Sequence, residues 1–151
     1  MGNSKERGWL LTVILILLFI ITISLFCWWG FLSIDYLLGK ATGIDSETTV
    51  FGFLVGIIGI ISSVFIFTGA AYAWTLNSRA SFWLLYGSIG FIIKNIAEFI
   101  DPIRGLISIE NATALDVNLT AGIITASFFN IAFWTAILIF FNRKSFKQRL
   151  S

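Results

Sequence analysis

The 151-residue chain has no histidine, one cysteine, one proline and one methionine. Haem, copper and non-haem iron sites draw on His, Cys or Met side chains, and zinc sites on His or Cys. With Cys27 as almost the only such ligand, none of these can be assembled within one copy, and no metal or cofactor is expected. The same shortage excludes a Ser-His-Asp or Cys-His nucleophile and an intrachain disulfide. Enzyme chemistry is therefore not the expected reading. Charge is scarce as well: 12% of residues are charged, against roughly 25% in a soluble domain. A net charge of +2 gives no footing for nucleic acid as a partner.

What fills the chain is apolar surface. Hydrophobic residues make up 58% and aromatic residues 17%, and the mean hydropathy is +0.93. Such a chain cannot cover itself with polar groups in water, so its expected partner is the lipid bilayer. Four apolar runs approach the roughly 20 residues that cross about 30 Å of hydrocarbon. They cover about 9–34, 50–76, 82–100 and 121–141. The expected fold is an all-α, four-transmembrane-helix bundle, a polytopic membrane protein with residues 1–151 as one domain. Trp9 and Trp28 bracket the first run roughly 28 Å apart, the spacing of two interfacial aromatic belts. That run is too long for the apolar part of a signal peptide, and Phe26-Cys27-Trp28-Trp29 offers no small-residue cleavage site.

The loops sort by charge. Lys5, Glu6 and Arg7 before the first run, Arg79 between the second and third, and Arg143, Lys144, Lys147 and Arg149 after the fourth are positive segments. Asp35, Lys40, Asp45 and Glu47 on one outer connection, and Asp101, Arg104, Glu110 and Asp116 on the other, are net negative. The positive-inside rule then places both termini in the cytoplasm, as an even number of spans requires, and the plasma membrane is the expected location. Pro102 is expected to stop the third span at Asp101. Ile103–Ile109 is expected as a short interfacial helix, and Asn118 or Thr120 as the cap of the fourth span.

Three groups of residues are candidates for function. Lys94, Glu98 and Asp101 share one face of the third span at helical spacing. Charges inside a span face protein or water, as an ion- or proton-handling site or as a self-neutralised lock. The order Lys before Glu is the weaker helical arrangement, which slightly favours partners on other helices or another chain. Gly52, Gly56, Gly59 and Ser63 put small side chains on one side of the second span, the pattern of closely approaching helices. Gly122, Ala126 and Asn130 offer a matching line on the fourth. In the outer loop, Asn111-Ala112-Thr113 and Asn118-Leu119-Thr120 fit the glycosylation sequon, with Asn111 the better placed. Cys27 is expected to behave as a buried apolar residue.

Four spans in about 150 residues is also the plan of claudin-like, tetraspanin-like and thiol-oxidising membrane proteins, but these depend on cysteine pairs. Small multidrug exporters carry a glutamate in their first span, and here no acidic residue precedes Asp35. The scarcity of reactive groups and the small-residue seams point to a structural or accessory subunit that binds other membrane subunits. A homo-oligomeric transporter or channel using Lys94 and Glu98 is the alternative. The topology is tested by cysteine accessibility scanning in a Cys27→Ser background. Cysteines at positions 45 and 111 are expected to react from outside and those at 79 and 147 only from inside; reaction of position 79 from outside contradicts the orientation.

Overall fold

The computed structural model describes residues 8–43, 50–108, 114–144, 146 and 148, and their side chains except those of 101–108 and 114–116. The described elements are four helices: α1 (Trp9–Thr42), α2 (Val50–Trp74), α3 (Ala80–Ser108) and α4 (Ala114–Asn142). All four are long and apolar enough to span a membrane, over Trp9–Thr42, Val50–Trp74, Ala80–Ile100 and Val117–Asn142. Each helix packs against the next in chain order.

Three helix ends differ from the sequence expectation. The first helix runs past Ile34 to Thr42, because Asp35 and Lys40 are tolerated in a helix and Tyr36 stacks on Phe53 of α2 at 4.7 Å between ring centroids. It stops where Gly43 takes the left-handed conformation, φ 71°, which glycine adopts without a Cβ penalty. The third helix is not stopped by Pro102 and continues to Ser108, so the separate helix expected over 103–109 is continuous with α3 as far as Ser108. Proline removes one backbone bond but holds φ in the helical range, so a helix can carry on through it. The fourth helix begins at Ala114 rather than beside Thr120. Asn118 therefore lies within α4 instead of capping it.

The short connection between α2 and α3 closes through the backbone. The Leu76 amide donates to the Ala73 carbonyl and the Asn77 amide to Tyr72, the paired bonds of a Schellman ending, with Leu76 at φ 54°. Asn77 then opens α3. Its carbonyl accepts from Ala80, and its Oδ1 accepts from the Arg79 amide at 2.9 Å. This forces α2 and α3 into an antiparallel pair.

Their contact is set by glycines. A Cβ on Gly69 would lie 2.8 Å from the Leu84 amide nitrogen, and one on Gly87 would lie 2.9 Å from that of Ile66. The helix backbones approach so closely that no side chain fits. Around this contact the buried core is apolar, with Leu11, Leu15 and Leu18 of α1, Ile66 and Ala70 of α2, and Trp134 and Phe141 of α4. Phe91 of α3 stacks on Trp134 at 4.3 Å, with ring planes 11° apart. Outside the core, large apolar side chains such as Leu17, Phe31, Leu54, Ile93 and Phe128 point away from the bundle. An exterior and an interior that are both apolar suit helices solvated by lipid.

Replacing Gly87 with Ala is expected to lower stability in detergent by about 1–3 kcal/mol, because the added carbon meets backbone. At Gly122 a Cβ would meet nothing within 4 Å, so Gly122→Ala is expected to be neutral or stabilising. Thermal unfolding of the two variants side by side makes the check.

Candidate functional site

The most unusual group in the fold is a lysine buried among helices. Lys94 lies on the face of α3 that carries Gly87 and Gly90, and only 4% of it is exposed. Its Nζ donates to Glu98 Oε2 at 2.6 Å, one turn along the same helix. Glu98 is the more open partner, with a quarter of its side chain accessible. The Lys-before-Glu order favours partners on other helices or another chain, yet the Glu98 carboxylate pairs with Lys94 within α3.

The lysine does gain a partner from another helix, and it is aromatic. Nζ sits 4.3 Å from the centre of the Trp29 ring of α1. A cation over an indole face is attracted by the ring quadrupole, by about 2 kcal/mol or more when desolvated. Trp29 in turn lies in a notch on α2. A Cβ on Gly59 would lie 2.9 Å from its Cδ1, and one on Gly56 would lie 3.5 Å from its Cε3 and 3.2 Å from Ser33 Oγ. Thus α1 supplies the ring, α2 the space for it and α3 the charge above it.

Other buried polar groups lie along the helices. Ser62 and Ser63 turn their hydroxyls back on the carbonyls of Ile58 and Gly59, and Thr22 on that of Leu18. Asn95 donates from Nδ2 to the Phe91 carbonyl at 2.7 Å. Four buried polar atoms have no hydrogen-bond partner among the described residues: Trp29 Nε1, Ser33 Oγ, Ser88 Oγ and Asn95 Oδ1.

The other candidates scatter. Gly56, Gly59 and Ser63 are buried and Gly52 half-buried along α2, and Gly56 and Gly59 form the notch for Trp29. Gly122, Ala126 and Asn130 do not meet that glycine face; all three are exposed on α4. Among the described side chains, the buried positions of α4 are Ser127, Trp134 and Phe141, a seven-residue repeat on another side of the helix. Cys27 is exposed rather than buried, because it lies off the α1 stripe of Leu11, Leu15, Leu18, Thr22, Trp29 and Ser33 that faces the bundle. Asp101 lies within α3, but its side chain is outside the described ones, and Asn111 is outside the described residues. Among the described residues no group of three His, Cys, Asp or Glu could hold a metal ion.

Trp29 and Ser33 are the site residues that charge and small-residue patterns miss. Their signal is phase alone: they continue the leucine stripe of α1, whereas Trp28, next door, is 59% exposed. Comparison with protein-family models, with curated proteins and with solved structures finds no match to this chain.

Trp29→Leu removes the ring from above the notch and from beneath the ammonium. It is expected to cost about 2 kcal/mol or more of stability in detergent, while Trp28→Leu stays within about 0.5 kcal/mol. Chemical or thermal unfolding of both variants measures the difference.

Proposed function

We propose that this chain is a structural, accessory subunit of a larger membrane complex, spanning the plasma membrane four times with both termini cytoplasmic. The observation that carries the reading is the outward line of Gly122, Ala126 and Asn130 on α4. Asn130 falls near the middle of the Val117–Asn142 span. A carboxamide at that depth facing hydrocarbon is costly, whereas across a helix interface it gains a hydrogen bond of about 0.6–2 kcal/mol. Small residues one and two turns away would let a partner backbone come close. The orientation rests on the loop charges, with Arg79 and the basic tail on one side.

The charged pair supports the same reading. Lys94 and Glu98 neutralise each other within one helix, and the Trp29 ring pins the cation. One turn deeper, Phe91 and Trp134 stack, only 1% and 2% exposed. A path through a single copy would have to cross that stack and the leucine layer beyond it. This puts the alternative, a homo-oligomeric ion or proton transporter, second.

Mild detergent extraction followed by sizing and mass spectrometry tests the proposal. Foreign subunits in fixed ratio are expected, and Asn130→Leu is expected to release them without altering the unfolding temperature of the isolated chain. A homo-oligomer with no foreign subunit contradicts the accessory role and favours the transporter.

A further inference from the structure

We infer that the groove between α1 and α2, on the side turned away from α3, binds one acyl chain of a membrane phospholipid. Two cavities lie along it. One, of about 360 Å³, is walled by Ile16 and Phe19 of α1 and by Ala71 and Trp74 of α2. The next, of about 240 Å³, is walled by Thr22 and Phe26 of α1 and by Ser63 and Phe67 of α2. Positions 16, 19, 22 and 26 step along one strip of α1, and 63, 67, 71 and 74 along one strip of α2, at the three- and four-residue spacing of a helix face. The two cavities are therefore successive parts of one groove. Its waist is the edge-to-face contact of Phe19 with Phe67, 5.2 Å between ring centroids. Ile66 and Gly69, which α2 turns to α3, lie on another side of the helix.

Length and depth select the occupant. Trp74 is the last residue of the 25-residue α2, and Ser63 stands close to its middle. The groove thus runs from one end of the span to its midplane, about 16 Å at roughly 1.5 Å per residue. Half of a roughly 30 Å hydrocarbon core is one leaflet, the depth an acyl chain covers. The walls offer a polar ligand little, because the buried Thr22 and Ser63 hydroxyls already donate to the Leu18 and Gly59 carbonyls. A partner helix does not fit either. It is about 10 Å across with its side chains, and the exposed rim of Ile20, Ile23 and Val64 holds another backbone off. A single hydrocarbon chain enters between these side chains and gains dispersion contacts on several sides, which a flat helix face does not give it. The lipid belongs to the leaflet on the side of the α2–α3 connection, with Trp74 at the depth of its polar end.

This site does not depend on the accessory role, since both walls belong to one copy. Its test places the full chain in nanodiscs of phosphatidylcholine that include a trace of phosphatidylcholine with a diazirine partway along one acyl chain. After irradiation, adducts are mapped by mass spectrometry of peptides. They are expected to concentrate on the α1 and α2 walls of the groove, several-fold above the exposed faces of α3 and α4 that carry Ile93 and Phe128. Adducts spread over all four helices in proportion to exposed surface overturn the site. So do walls left unlabelled, as a second copy or a foreign subunit seated on them would leave them. Ala71→Phe puts a ring into the cavity beside Trp74 and is expected to lower labelling of the walls several-fold. Ile61→Phe, on an exposed part of α2 outside the groove, is expected to leave it unchanged, with unfolding temperatures confirming that both variants fold. Equal labelling of the two variants overturns the site as well.

Discussion

A buried ammonium group is the constraint around which the upper half of this bundle is arranged. In hydrocarbon an unpaired lysine costs several kcal/mol, and the cost falls only when charge, π-density or water is brought to it. Glu98 provides the charge from one turn away, and the Trp29 ring provides the π-face from α1. The ring fits because Gly56 and Gly59 leave α2 bare where it lies. Three helices thus meet at one cation, and each contributes something the other two do not. A breach at any of the three leaves the lysine less compensated, so packing on α2 and electrostatics on α3 are one energetic unit.

The lower half follows a different rule. There the helices are joined by leucine, alanine and aromatic side chains, with Gly69 set against Leu84 and Gly87 against Ile66. Apolar contacts between helices gain little from solvent exclusion in lipid, so close backbone approach and dispersion carry the association. The two halves share α2, whose small residues face α1 at Gly56 and Gly59 and α3 at Gly69. The two middle helices each have neighbours on two sides, α2 between α1 and α3 and α3 between α2 and α4.

Much of this was legible in the residues, for physical reasons that also define where it was not. Apolar runs as long as a bilayer is thick leave few alternatives to spanning helices, so four such elements are visible without coordinates. Their ends are less so, because Tyr36 on Phe53 and the helical φ of Pro102 are decided by packing and by single torsions rather than by polarity. Lys94 and Glu98 stand out because charge is rare in an apolar run. Trp29 does not, since composition treats it as the twin of Trp28 and only its phase with Leu11, Leu15 and Leu18 sets it apart. The small residues of α2 and α4 carry the same pattern, yet one set faces helices and the other faces outward. Small size permits close approach but does not choose the partner.

The account stands most directly on Lys94 and Glu98 acting as a lock, and a double-mutant cycle measures that. Removing one member of a buried pair strands the other, commonly at about 3–5 kcal/mol, whereas removing both leaves a helix that packs tolerably. Lys94→Met and Glu98→Gln, made singly and together, are compared by unfolding of the purified chain in detergent. The lock predicts that each single change destabilises strongly and that the double variant recovers most of the loss, a coupling of about 1–3 kcal/mol. Additive losses, with the double variant the least stable of the three, would contradict it.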